Sequence, residues 1–408
     1  MKKILSFATI LLISGCSAIN PFASNKPKMQ EAPEVISQNQ NQYQILWQQD
    51  IGQADKNNHL ILSPALVETL DAIFVAKNSS NGKIATIQRI DAKSGQISWS
   101  KEFENPENAK LSGGVAADED AIIVSNNKGD IFAYSTSDGE QLWKINVPHE
   151  ISQPAAIHPQ FGVAIKTADN TFYLFDKTDG KQKWIYQRNS TILGVRNSAN
   201  NGQLAFADDF VFSGVSGGKI IALAAENGAP IWEGIIATPK GATELERITD
   251  VLARPLILQN GQLCAIAYQG KISCFNMLRG AETLWQKNFG SSQNLTVDRN
   301  NIYLTSDDGK IVALDLQTGS TVWQQNQLQT RNPSAPIANY QQNQILVGDA
   351  EGFVYVIDAE NGEFINKIQI GGGAIISTPI YSAENEIFYF QTEKGSLIAV
   401  KKKIKNKK

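Results

Sequence analysis

The sequence predicts an all-β protein, an eight-bladed β-propeller of four-stranded antiparallel blades over residues 43–400. Three observations predict it. All seven tryptophans of the 408-residue chain, Trp47, Trp99, Trp143, Trp184, Trp232, Trp285 and Trp323, fall on one pattern at intervals of 38 to 53 residues. Before each of the last six, four or five residues upstream, stands a glycine: Gly95, Gly139, Gly180, Gly228, Gly280 and Gly319. A short apolar strand leads into each turn, clearest in Gly309-Lys310-Ile311-Val312-Ala313-Leu314-Asp315, so the unit reads G-K-I-x-A-L-D-x-x-T-G-x-x-x-W. A repeat of roughly 40–50 residues with several strands per unit is a propeller signature.

Residues 1–15 read as a lipoprotein signal peptide. Lys2 and Lys3 give it a basic start, and Ile4 to Ser14 an apolar stretch too short to span a bilayer. It ends in Leu12-Ile13-Ser14-Gly15-Cys16, which resembles the bacterial lipobox and implies that Cys16 is acylated as the mature N-terminus. Ser17 follows where inner-membrane lipoproteins carry Asp, so the expected location is the outer membrane, lipid-anchored, on the periplasmic face. Several acyl chains on one cysteine give stable attachment without a span. Residues 16–42, rich in Asn, Gln, Ser, Pro and Ala, read as a lipidated flexible tether.

Within the repeats, alternating apolar residues bury strand faces, and D-x-x-T-G is turn chemistry: Asp bonds nearby backbone and Gly supplies positive φ. Each Trp then opens the fourth, outermost strand. Ala133, Ala222, Ala313 and Ala399 mark a small position on the third strand, expected to leave room for a ring from a neighbouring unit. Such rings can anchor blade against blade. A further copy, Gly352-Phe353-Val354-Tyr355-Val356-Ile357-Asp358, ends at Gly362 with Asn366 in the Trp position, bringing the count to eight. Gly395 to Val400 supplies a third strand with no fourth; Trp47 supplies a fourth with no third. The N-terminal strand is therefore expected to complete the last blade, which removes an exposed sheet edge.

Residues 401–408 form a basic tail with six lysines. Setting those and the two signal lysines aside from the overall −3 leaves residues 16–400 at −11. An acidic body argues against nucleic acid as a partner. The tail reads as a solvated end that could also meet anionic lipid.

Candidate chemistry is sparse. Gly214-Val215-Ser216-Gly217-Gly218 matches the G-x-S-x-G elbow, but it precedes a propeller strand where the elbow needs a helix, so it reads as a hairpin loop. The only histidines, His59, His149 and His158, lack zinc spacing. Cys264 and Cys274 flank the turn Tyr268-Gln269-Gly270. A cross-hairpin disulfide in an oxidising compartment and a small buried residue at the repeat's alanine position both fit them. No catalytic residue, metal or cofactor is expected.

Over residues 43–400 the repeat resembles the pyrroloquinoline-quinone (PQQ) propeller repeat. The quinoprotein dehydrogenases that carry it use adjacent cysteines and a Ca²⁺ held by several oxygens; this chain has neither arrangement, so a scaffold is the better expectation. A carbohydrate-binding periplasmic propeller is the other alternative. Signal, tether and repeats together resemble the BamB family of the outer-membrane β-barrel assembly machinery. That resemblance implies a non-enzymatic scaffold in the Bam complex that binds a periplasmic POTRA domain of BamA. Separately, the exposed edges that fourth strands offer for augmentation suggest nascent outer-membrane proteins as a further partner. Ile192-Leu193-Gly194-Val195-Arg196 is similar to the family's apolar-x-apolar-Arg loop, and Thr243 to Val251 to its interblade segment. The resemblance implies Leu193 and Val195 as apolar anchors, Arg196 as a charge-assisted donor and Asp250 as an acidic partner. Leu252 stands where the family has a second acid, which would make the patch more apolar.

Overall fold

The computed structural model describes residues 29–35, 42–52, 61–79, 82–106, 109–188, 202–243 and 247–403. The runs of branched and aromatic residues form strands, and these assemble into eight four-stranded antiparallel sheets. Seven blades are consecutive in the chain: 65–104, 111–146, 156–187, 204–235, 256–287, 296–325 and 337–369. The eighth takes Ile380–Ser382, Ile387–Gln391 and Ser396–Lys402 from the C-terminus and Tyr43–Asp50 from the N-terminus, as the repeat boundaries predict. The ring closes because its core is a cycle. Among the described residues, eight buried clusters each span two successive blades, including one joining blades seven and eight and one joining blades eight and one.

Tryptophans hold the blades in register. A bulge on the fourth strand, one residue before each Trp, sets its register, and in four blades the direct cross-strand partner is the repeat's alanine: Trp47 faces Ala399, Trp143 Ala133, Trp232 Ala222 and Trp323 Ala313, whereas Trp99 faces Arg89, Trp184 Leu174 and Trp285 Cys274. The alanines thus make room for their own blade's ring, a correction to the neighbour's ring expected from the sequence; strand register, which chain spacing does not encode, decides it. The indole then reaches the following blade. Six of the seven donate to a main-chain carbonyl there at 2.8–3.2 Å: Trp47 to Ala92, Trp99 to Thr136, Trp143 to Lys177, Trp184 to Ala225, Trp285 to Leu316 and Trp323 to Ala359.

The turn glycine has a second role at this seam. Besides its φ near +70°, a Cβ added at Gly95, Gly139, Gly180, Gly228, Gly319 or Gly362 would lie only 2.5–2.9 Å from the preceding blade's indole. Trp232 departs from the pattern. Its ring folds over Gly234 of its own strand, 2.3 Å from where a Cβ would stand, and meets Phe275 edge-on at 5.2 Å. Gly280 on the next blade consequently has nothing within 4 Å of its Cβ position.

Antiparallel order sorts the connections by face. Links from second to third strands, and from each blade to the next, lie on one face, here the upper. The D-x-x-T-G turns and the C-terminal tail lie on the lower face. Within the stretch expected as a flexible tether, residues 29–35 depart from expectation: they pack along blades six and seven, with Val35 buried among Trp323, Ala359 and Phe364. Main-chain groups of Gln30 and Pro33 supply the bonds, and those are invisible to composition. Cys16 lies outside the described residues.

Candidate partner-binding face

The two widest intervals between successive named strands are 188–203, joining blades three and four, and 236–255, joining blades four and five. The described ends of both lie on the upper face. Leu193, Val195 and Arg196 fall in the first and lie outside the described residues; the first strand of blade four is Leu204–Ala207. The described part of the second interval comprises residues 236–243 and 247–255, the latter running into the body.

Asp250 sits where three blades meet. It is 3 % exposed. Its Oδ1 accepts the Gly217 N–H at 3.0 Å, capping the blade-four hairpin that carries the G-x-S-x-G residues, and its carbonyl accepts the Tyr268 N–H of the blade-five hairpin at 2.8 Å. Two residues on, the Leu252 carbonyl accepts the Gly202 N–H at 2.9 Å, tying the two connections together. Leu252 is 2 % exposed. It belongs to the interior, so it does not enlarge an apolar surface patch as the sequence suggested. The burial of Asp250 likewise gives it the work of ordering the loop, where the resemblance implied a residue facing a partner.

Lys166, which sequence reasoning passed over, completes the cluster. It ends the second strand of blade three, Gly162–Lys166, and is 3 % exposed. Its Nζ donates to the Gly214 carbonyl of blade four at 2.7 Å. Burial pushes its ammonium down to about 7, with the Asp250 charge acting the other way and Arg188 adding to the depression. The signal available in the sequence was a lysine closing an otherwise apolar strand, Gly162-Val163-Ala164-Ile165-Lys166. Close approach fixes the rest: a Cβ on Gly202 would stand 2.5 Å from the Lys166 Nζ, and one on Gly214 2.0 Å from the Val251 carbonyl oxygen. At the rim, Glu233 bridges Arg188 at 3.0 Å and Lys219 at 2.5 Å.

First strands line an axial cavity of about 740 Å³, with Ser63, Val115, Leu204, Asn294 and Thr378 among its walls. Cys264 and Cys274 are a directly opposed cross-strand pair joined by a disulfide, fully buried between blades five and six. They line no part of that cavity. Among the described residues no His, Cys, Asp and Glu cluster could hold a metal ion. These residues do not fit the quinone cofactor.

Comparison with known proteins agrees with this arrangement. The family described as "Outer membrane protein assembly factor BamB" matches residues 83–325. The protein of that name from Burkholderia pseudomallei is 30% identical over 386 residues, covering 94% of each chain. That from Bordetella pertussis is 29% identical, covering 96% of this chain and 95% of its own. The one from Escherichia coli (strain K12) is 27% identical, covering 98% and 99%. Among solved structures, BamB from Moraxella catarrhalis superposes with a TM-score of 0.74 at 22% identity, covering 88% of this chain and 99% of that one. Quinohemoprotein alcohol dehydrogenase from Comamonas testosteroni shares the fold at a TM-score of 0.68 and 12% identity, but covers only 76% of that chain. With a match across more than half its length and relatives aligned nearly end to end, the chain belongs to the BamB family of outer membrane protein assembly factors.

Proposed function

We propose that this chain is a non-enzymatic scaffold of the outer-membrane β-barrel assembly machinery that docks a POTRA domain of BamA through the upper face of blades three to five. The observation that carries the docking site is the meeting of the two longest interblade connections at the segment from Asp250 to Leu252. Hydrogen bonds to Gly217 and Tyr268 fix the second connection, and the Leu252–Gly202 bond fixes the end of the first. Loops held this way on a rigid ring are where binding residues usually sit. Leu193 and Val195 would supply the apolar centre and Arg196 a charge-assisted donor at its edge. Asp250 acts through the loop it orders.

In this reading Cys16 carries the lipid that holds the protein at the periplasmic face of the outer membrane. The ring then offers BamA a fixed surface, and its fourth strands leave edges that an extended outer-membrane protein segment could join. Arg196→Glu should abolish co-purification with BamA while leaving the β-sheet circular dichroism unchanged. Retained co-purification would overturn the site. Incorporation of labelled palmitate into the wild type but not into Cys16→Ser tests the anchor separately.

A further inference from the structure

We propose that residues 29–35 are a strap that carries the anchored end of the chain across the outside of the propeller, so that the upper face, the one bearing the Asp250 connections, faces the bilayer. The inference rests on the reading of Cys16 as the lipid-bearing residue.

The strap is built into the body along its length. At the upper face the Gln30 N–H donates to Thr330 Oγ1 at 2.8 Å, and Arg331 Nη1 donates to the Gln30 carbonyl at 2.6 Å. Arg331 is itself immobilised: its side chain is 1 % exposed, with Nε on Asp349 at 2.7 Å and Nη2 on Glu351 at 2.5 Å. Charge-assisted bonds of this kind are among the stronger ones available. Midway, Lys367 Nζ on the outer strand of blade seven donates to the Pro33 carbonyl at 3.0 Å. The ring of Phe353 lies beneath both the Arg331 and the Lys367 cations, at 5.6 and 5.4 Å. At the lower end Val35 enters the apolar seam between blades six and seven. Six extended residues cover about 20 Å, the height of a blade strand.

Direction follows from this path. The chain enters blade eight at Tyr43, on the lower face, so an unstrapped leader would leave from there. With the strap seated, it leaves at Met29 on the upper face, beside Tyr268 and Gln269, and Tyr268 is the residue whose N–H holds the Asp250 carbonyl. About 13 residues then separate Cys16 from the body, a reach of at most about 45 Å. Leaving from Tyr43 would give about 27 residues and a reach of about 95 Å from the opposite face. The strap thus selects the face presented to lipid and shortens the leash.

The test uses the native lipoprotein in phosphatidylethanolamine–phosphatidylglycerol vesicles with a headgroup acceptor dye. Single donor dyes are placed at Lys128→Cys on the upper face and at Glu226→Cys on the lower face, both exposed positions. The strap predicts at least several-fold stronger energy transfer from the upper label. Val35→Asp, which puts a carboxylate into the seam that seats the strap, should abolish or reverse that ordering. Equal transfer in the wild type, or an ordering unmoved by Val35→Asp, would overturn the proposal. Hydrogen exchange of the 29–35 peptide in detergent reads the strap without reference to lipid: slow exchange in the wild type and fast exchange in Val35→Asp are expected. Fast exchange in the wild type refutes the strap itself. Slow exchange with no transfer from either label refutes the lipid reading of Cys16, and the membrane-facing inference with it.

Discussion

Replacing Gly319 by Ala should cost far more than replacing Gly280 by Ala, although the two glycines occupy the same turn. Both have left-handed backbone, φ +67° and +69°, so both substitutions incur the cost of putting an L-residue there, about 1–2 kcal/mol. They differ in what the new methyl meets. At Gly319 it would stand 2.5 Å from two atoms of the Trp285 ring, which is pinned by its bond to the Leu316 carbonyl; at Gly280 nothing lies within 4 Å. Forcing a methyl into a packed seam adds about 1–3 kcal/mol. The prediction is therefore about 1–2 kcal/mol for Gly280→Ala and about 2–5 kcal/mol for Gly319→Ala. Urea unfolding followed by circular dichroism and by Trp fluorescence would measure both, compared at matched slopes so that midpoint shifts report stability. Equal losses would show that the turn conformation alone explains the glycine, and would refute the indole–glycine seam.

Two further predictions concern buried chemistry. With its ammonium down at about 7 from an ordinary value near 10.5, Lys166 leaves the folded chain with fewer bound protons than the unfolded chain between those pH values. Unfolding free energy of the wild type relative to Lys166→Met should therefore rise from pH 7 toward pH 10; a flat difference across that window would contradict the burial. Replacing both Cys264 and Cys274 by Ala should cost about 3 kcal/mol on the chain-entropy estimate for a loop of this length, and an unchanged urea midpoint would show that the bond contributes nothing.

Much of the fold was legible because a propeller writes its repeat locally. Turn chemistry at Asp315 and Gly319, strand alternation and the recurring Trp are all short-range signals, and the unmatched strands at Trp47 and Val400 announced the closure. What stayed hidden lies across strands. The pairing of Trp323 with its own blade's Ala313 depends on a bulge in register, and the clash that reserves Gly319 involves a residue in the preceding blade. Trp232 looked like its six counterparts, yet Gly234 two residues later lets its ring turn back. At the candidate site, Asp250 was singled out through a resemblance, but its burial and the part played by Lys166 come from three blades converging in space. The strap was masked for a different reason: main-chain carbonyls of Gln30 and Pro33 do the binding, and every residue has those.

The most direct test of the account is a photo-crosslinker placed at Val195 of the native lipoprotein in cells, with a second at Leu278, an exposed apolar residue on the lower face, as its control. The account predicts a crosslink from Val195 to a POTRA domain of BamA and none from Leu278. Capture of BamA from Leu278 but not from Val195 would contradict it.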